Sequence, residues 1–227
     1  MGRLSVRATA NEAATALPGD DLVEADVTMD RAFTLEASPS IVWPWLVQIG
    51  KDRAGWYLPR VVERFVPRRR RAARRLDPRF ASLDVGQTIA DWGGRDATLT
   101  AVQISAPEAL VFRSRRGRTS FSWALLLTDL GGGRTRVHSR VRLGPVRRRR
   151  LAEHGGGAFD AATISGLANG LRERLVEAGP RAIQQPGTQH PRHVGAAGVQ
   201  QRQAVHVQAR QLRFGRPLER SLTIAHR

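Results

Sequence analysis

The chain has no cysteine and only one lysine, Lys51, among its 227 residues. Without cysteine, the protein cannot form disulfide bonds, thiolate metal sites or thiol redox centres. No apolar run reaches the roughly 18 residues of a membrane span. The N-terminus, MGRLSVRATANEAATALPGDD, lacks the apolar segment of a secretory signal. These absences predict a cytoplasmic protein without disulfide bonds.

The chain is strongly basic, with a formal net charge of +17. Of its 37 basic residues, all except Lys51 are arginine. Proteins that bind polyanions commonly use both residue types, because lysine is also an adequate phosphate ligand. We therefore attribute the arginine excess to GC-rich coding. The positive field still favours nonspecific contact with anions at low salt.

Two runs concentrate this charge. VPRRRRAARRLDP, residues 66–78, places six arginines between Arg68 and Arg75, and GPVRRRRLAE, residues 144–153, contains Arg147–Arg150. No helix-turn-helix, zinc finger or aromatic-interleaved RNA surface accompanies them. We therefore expect solvated surfaces and no specific nucleic-acid partner. Two alternatives stay open: a weak contact of Arg68–Arg75 with an anionic membrane, and a basic surface module that contacts membrane or nucleic acid.

Composition divides the chain into three regions. Residues 1–24 are small and polar with weak periodicity, which predicts a flexible lead. Residues 25–178 carry strand and helix patterns and form the predicted domain. Residues 179–227 hold eight of the eleven glutamines and four of the six histidines, but only one acidic residue. With no sustained apolar face, this tail is predicted to be disordered, or to be a frameshift product.

The domain alternates between two periodicities. Apolar alternation predicts a strand over 25–37, and a helix follows Ser38 with proline at its first position. A second short helix is predicted within 55–66. Five or so antiparallel strands follow between 85 and 144, before a long helix over about 148–178. The order β-α-α-β(5)-α predicts an α+β fold in which a curved antiparallel sheet grips the C-terminal helix.

The same patterns predict which side chains are buried. On the last strand, Val137 and its alternate neighbours should face the core, whereas His138 shares the solvent face with arginines. In the second helix, we expect Val61, Val62 and Phe65 to face inward.

Two segments carry a resemblance to a known family. FTLEASPSIVWPWLVQIGKDRAGWYLPRVVERF and DWGGRDATLTAVQISAPEALVFRSRRGRTSFSWALLL resemble the START-like, polyketide cyclase/dehydrase (SRPBCC) superfamily, above all in the helix after Ser38 and in DRAGWY. The resemblance covers roughly residues 25–178 and is closest to actinobacterial members of unassigned activity. It implies a helix-grip fold with a cavity between sheet and C-terminal helix. It also implies a small hydrophobic ligand, lipid- or polyketide-like, and no cofactor.

Aromatic residues are the candidates for lining that cavity. Four of the five tryptophans and the only tyrosine are among them, and rings at a pocket mouth suit a ligand with an apolar body and a polar end. For Trp45 and Trp123, core packing is the favoured interpretation. The predicted lining residues are Trp43, Trp56, Tyr57, Trp92, Phe112, Trp123, Phe159 and Leu167. Glycines in the last helix, including Gly166 and Gly170, either leave room for a ligand or permit tight packing.

Catalysis in the same cavity, by a cyclase or dehydratase of polyketide-like substrates, is the alternative function. Its candidate acid–base or orienting groups are Tyr57, Asp91 and Arg113, and no catalytic residue is assigned. Other titratable groups considered are Asp96, His138 and Asp160. No Ser-His-Asp order, HExxH pair or carboxylate cluster is present, so the sequence predicts no metal site.

Overall fold

The computed structural model describes residues 4–147, 150 and 152–179. The predicted tail, 179–227, therefore lies outside the described residues except for Gly179. Four helices are described: α1 (Ala10–Ala14), α2 (Pro39–Val47), α3 (Arg60–Glu63) and α4 (Gly157–Ala178). The strands are β1 (Val27–Leu35), β2 (Thr88–Ala90), β3 (Thr98–Ser105), β4 (Ala109–Arg116), β5 (Thr119–Gly131) and β6 (Arg134–Gly144).

The six strands form one antiparallel sheet in the order β1-β6-β5-β4-β3-β2. The chain runs from β1 through α2 and α3 to the five-strand meander, and α4 then packs against the sheet with contacts to β1. The predicted α+β helix-grip fold is confirmed, with the predicted element order and one added short helix, α1. Within the described residues, no helix has the length and apolar character needed to cross a bilayer.

The core lies between the sheet and the helices α2 and α4. Successive strand residues point to opposite faces, so one face of each strand turns toward the helices. Phe33 of β1, Leu125 of β5 and Val137 of β6 are buried on this inner face, together with Leu167 and Leu171 of α4. Val137 therefore faces inward, as its alternation predicts.

Part of the outer face of the sheet is shielded from solvent by the N-terminal segment. Residues 4–24, for which the composition predicts a flexible lead, pack along the edge of β1 and over the outer face at β6, and Leu17 and Val23 are buried. Arg140 of β6 ties them down, since its guanidinium donates to the carbonyl oxygens of Ala13 and Thr15, each at 2.8 Å. The N-terminal segment therefore covers the outer face at β6, whereas Arg113 and Arg115 of β4 stay exposed on the same face.

This cover reverses the prediction for His138. The histidine is only 7% exposed, and its Nε2 lies 2.7 Å from Oδ1 of Asp30 on β1. The alternation assigns His138 correctly to the outer face. The inference that this face meets solvent is wrong, because the N-terminal segment lies over it.

The second predicted helix is shorter than predicted, and a different residue faces the core. Only Arg60–Glu63 is helical, and Val61, Val62 and Phe65 are exposed rather than inward, with Phe65 77% exposed. The inward position belongs to Glu63, which is buried. Its carboxylate accepts hydrogen bonds from Arg74 and Arg174, and this charged pairing holds α3 to the domain.

Candidate functional site

Four aromatic rings form a continuous row between the sheet and α4. Phe112 stacks on Trp123 at 5.5 Å between ring centres, Trp123 meets Trp56 at 5.8 Å, and Trp56 meets Trp92 edge-on at 5.7 Å. Phe112 is 2% exposed and Trp92 is 45% exposed. The aromatic row, as we call these four residues, therefore leads from the core to the surface.

Strand register and one loop position build the row. Phe112 of β4 and Trp123 of β5 lie directly opposite each other, which makes them a cross-strand pair on the inner face. Trp123 also donates from Nε1 to Ser139 Oγ on β6 at 3.0 Å. Trp56 donates from Nε1 to the carbonyl oxygen of Thr163 on α4 at 3.3 Å. Trp56 thus spans the gap between the sheet and the gripped helix.

A glycine allows Trp56 to reach this position. Gly55 adopts φ = +86°, and a Cβ there would lie 2.8 Å from Cα of Ala72. Both the left-handed backbone and the close approach of another chain segment therefore favour glycine.

The other predicted lining residues lie outside the row. Leu167 is fully buried in the core. Trp43 of α2 is half-buried and packs against the core. Phe159, in the first turn of α4, is 73% exposed. Among the described residues, the ring contacts include neither Trp43 nor Phe159. The structure thus brings together Trp56, Trp92, Phe112 and Trp123.

The buried hydroxyl of Tyr57 forms hydrogen bonds to other parts of the fold. Its hydroxyl donates to the carbonyl oxygen of Trp45 and accepts from Nε2 of Gln48, both at 2.8 Å. Burial raises the pKa of the phenol well above its ordinary value. The hydroxyl proton is therefore held by the backbone of α2, and the two hydrogen bonds fix the segment that precedes α3.

The remaining catalytic candidates from the sequence do not converge. Asp91 forms an ion pair with Arg116 at the end of β2. Arg113 is exposed and, by alternation along β4, lies on the outer face, opposite to Phe112. Asp96 is exposed in the turn between β2 and β3.

Asp160 is a buried titratable group of α4 that faces the sheet. Its Oδ2 lies 3.0 Å from Nε of Arg31, which projects from the inner face of β1. Burial raises the pKa of Asp160 to about 6, although Arg31 lowers it, and Asp30 adds a smaller increase. Arg31 also donates to the carbonyl oxygen of Gly157 at 2.8 Å, so this pair joins β1 to the start of α4.

Two polar residues near the row were missed from the sequence, namely Ser114 and Arg116 on β4. They follow Phe112 at spacings of two and four residues, so strand alternation places all three on the inner face. This period-2 pattern was the available signal. The guanidinium of Arg116 lies 4.6 Å from the ring centre of Phe121.

The helix glycines serve tight packing. A Cβ on Gly170 would lie 2.5 Å from the backbone nitrogen of Leu58, and one on Gly166 would lie 2.8 Å from a Leu58 methyl carbon. At these two glycines, α4 therefore approaches the Tyr57–Leu58 backbone closely, and the space holds protein rather than a ligand.

A groove of about 630 Å³ lies elsewhere, at the outer end of the β3–β4 hairpin. It is lined by Pro18 of the N-terminal segment, Pro39 of α2 and residues of β3, β4 and β5, including Gln103 and Leu126. The aromatic row does not contribute to it.

The arginine run divides into two parts. Arg68–Arg70 form an exposed 3-10 turn. Arg74 instead pairs with Glu63, Glu173 and Glu177, which joins the run to α3 and α4.

No cluster of three or more histidine or acidic side chains suited to a metal ion occurs in the part of the chain that is described.

No family model and no curated protein matches the chain. Solved structures with similar folds include MLL2253 from Mesorhizobium loti, with 14% identity over 66% of this chain and 98% of that protein, at a TM-score of 0.43. The Aha1 dimer of Colwellia psychrerythraea shows 12% identity over 64% and 96%, at 0.42. CalU16 from Micromonospora echinospora shows 15% identity over 69% and 88%, at 0.40.

The chain's own strand order and its gripped C-terminal helix define the class of fold. It is a helix-grip fold of the START-like type, as the resemblance in sequence implies.

Proposed function

We propose that the protein binds a small hydrophobic molecule, lipid- or polyketide-like, along the aromatic row. The observation that carries this proposal is the continuity of the row, from Phe112 in the core to Trp92 at the surface. A ligand that covers Trp92 and inserts toward Trp123 would remove apolar surface from water. Such burial contributes about 25 cal/mol per Å².

The position of Trp56 supports the same proposal. Like Trp92, it lies in a connecting segment rather than in a strand, and it touches both Trp92 and Trp123. A rotation of this side chain would exchange two ring contacts and one hydrogen bond, to Thr163, for contacts with a ligand. Pockets for apolar ligands are commonly lined in this way by aromatic side chains with few polar groups.

Mass spectrometry of an organic extract of the purified full chain tests the proposal. We expect a hydrophobic compound with the wild type, and depletion of that compound with Trp56→Ala. Phe65→Ala is the matched control, because Phe65 is exposed and lies outside the row. Equal retention by both variants would place the ligand elsewhere, and extracts empty of any compound would argue against a stably bound ligand.

A cyclase or dehydratase activity toward a polyketide-like substrate is a second candidate, favoured by the Arg31–Asp160 pair. A carboxyl group whose pKa is near 6 can exchange protons at neutral pH, and an adjacent guanidinium can orient a substrate oxygen. We expect Asp160→Asn to abolish turnover of such a substrate with its affinity nearly intact. Loss of affinity with unchanged turnover would contradict the catalytic role.

The surface formed by Val61, Val62, Phe65 and Arg68–Arg70 supports a weak contact with an anionic membrane. Three exposed apolar side chains lie beside exposed arginines, a combination that suits a bilayer with anionic head groups. Co-sedimentation with phosphatidylglycerol-containing vesicles should fall with salt and with Phe65→Ser. Val85→Ser, at another exposed apolar residue, is the control. Salt-insensitive binding, or equal binding to phosphatidylcholine alone, would oppose this role.

A further inference from the structure

Two buried polar atoms near the exposed end of the aromatic row have no hydrogen-bond partner among the described residues. They are Oγ of Ser114 and Nε of Arg116. Ser114 is only 8% exposed. A buried polar group without a partner is uncommon in folded proteins, since it loses its hydrogen bonds to water without replacement. Two such atoms on one strand face therefore call for an explanation.

Both atoms adjoin the row. Ser114 lies directly opposite Phe121 on β5, two residues from the Phe112–Trp123 pair. The Arg116 guanidinium covers the Phe121 ring and pairs with Asp91, the residue before Trp92. Strand register therefore links the two polar groups to the inner ring pair, and the ion pair with Asp91 links Arg116 to the segment of Trp92.

The turn that follows Trp92 covers this position closely. A Cβ on Gly93 would overlap the guanidinium of Arg116. Glycine thus lets the backbone of the turn lie directly over the arginine. The guanidinium thus lies close to both the backbone of this turn and the Phe121 ring.

The chemistry of the two atoms defines what they can hold. The Nε of arginine is a donor, and a serine hydroxyl can donate as well. Asp91 already balances the charge of Arg116, and its carboxylate would repel a second anion. The arrangement therefore favours an uncharged acceptor oxygen over a carboxylate.

We propose that Ser114 and Arg116 bind a carbonyl oxygen of the hydrophobic ligand, such as that of a ketone or quinone. This inference rests on the proposed function, because the ligand's apolar body is the part that the aromatic row would hold. It adds the chemical class of the ligand: a flat or chain-like apolar molecule with at least one neutral carbonyl group at the end near Trp92.

Equilibrium dialysis of the full chain with three matched probes tests the proposal: 2-acetylnaphthalene, 2-ethylnaphthalene and 2-naphthoate. The first two differ mainly by the carbonyl oxygen, and the third carries a negative charge. A hydrogen bond to a charged donor together with one to a hydroxyl should make the ketone bind about tenfold more tightly than the hydrocarbon. We expect 2-naphthoate to bind more weakly than the ketone.

Ser114→Ala removes one donor and should reduce the preference for the ketone over the hydrocarbon by about threefold. Affinity for 2-ethylnaphthalene should stay the same. The matched control is Ser122→Ala, a buried serine of β5 on the opposite face of the sheet. A thermal melt adds an independent readout: removing an unpaired buried hydroxyl should leave the Tm unchanged or higher, whereas a structural hydroxyl would lower it.

The outcomes separate the two proposals. Equal affinities for ketone and hydrocarbon in the wild type, or an unchanged preference in Ser114→Ala, would overturn the carbonyl site while leaving hydrophobic binding in place. Tighter binding of 2-naphthoate than of the ketone would overturn the choice of a neutral oxygen. Failure of all three probes to bind would count against the proposed function itself, and the carbonyl site would fall with it.

Discussion

Nη2 of Arg174 lies 2.5 Å from Oε1 of Glu63, and both side chains are buried. The same guanidinium donates to the carbonyl oxygens of Ala73 and Gly170, at 2.7 and 2.9 Å. This one side chain therefore joins α4 to α3 and to Ala73, which lies within the arginine run. These contacts lie near the C-terminal end of α4, whereas Arg31 contacts the start of the helix at Gly157.

Replacing Glu63 with glutamine should destabilise the protein by about 3 kcal/mol, because it leaves the buried Arg174 charge without its carboxylate. Urea denaturation measures the loss. Arg60→Gln, which removes the exposed partner of Glu177, should cost much less stability than Glu63→Gln, because water screens an exposed ion pair. Similar losses for the two variants would mean that the Glu63–Arg174 pair does not hold α3.

Gly170→Ala should also destabilise the protein, by about 2 kcal/mol or more, because its methyl group would meet the backbone of Leu58. Gly156→Ala is the matched control, since a Cβ there has nothing within 4 Å and the residue has helical φ and ψ. That variant should be neutral or slightly stabilising. If Gly170→Ala is as stable as the wild type, the result would contradict the close approach of α4 to the Tyr57–Leu58 backbone.

The cover formed by residues 4–24 predicts resistance to proteolysis. Arg7 is exposed but forms a β-bridge with Arg31, so trypsin should cut after it slowly in the native protein. Arg140→Met removes the donors to Ala13 and Thr15 and should speed this cleavage several-fold. Mass spectrometry of the released N-terminal fragment measures the rate. The exposed outer-face variant Arg113→Met should cleave like the wild type.

Strand alternation explains why the inner face could be predicted from the sequence. It places Phe112 and Trp123 in the core, and the same period leads on to Ser114 and Arg116. Trp56 was predicted as a cavity-lining residue at a pocket mouth, but its contacts with both sheet and α4 depend on the chain's path through Gly55.

The outer face could not be predicted in the same way. The N-terminal segment binds Arg140 through backbone carbonyl oxygens, at Ala13 and Thr15, and any residue type supplies such an oxygen. A cover held by main-chain acceptors therefore leaves no pattern of side chains in the sequence. The short helix α3 was misjudged for a related reason: its inward residue is Glu63, whose burial depends on two arginines distant in sequence, Arg74 and Arg174.

Asp160 gives the protein a pH-dependent stability whose sign follows from its environment. Burial raises its pKa to about 6 from an ordinary value of 3.8, and the nearby carboxylate of Asp30 adds to the rise while Arg31 opposes it. Because the folded state holds this proton more tightly than the unfolded chain, the protonated carboxyl favours folding. The contribution is complete below about pH 4 and is lost as the pH rises through about 6.

Asp160→Asn cannot ionise, so it should lack this loss. We expect the free energy of unfolding of the variant, measured by urea denaturation, to rise relative to the wild type between about pH 4 and pH 7 and then level off. Glu12→Gln provides a contrast of opposite sign. A hydrogen bond from Arg136 lowers the pKa of Glu12 to about 2, so its contribution is present above about pH 4.5 and lost in acid. That variant should run parallel to the wild type above about pH 5.5, where Glu12 is ionised in both states, and its difference from the wild type should shrink in acid. A constant offset for Asp160→Asn over the whole range would show that the grip does not disfavour the charged form of this carboxylate.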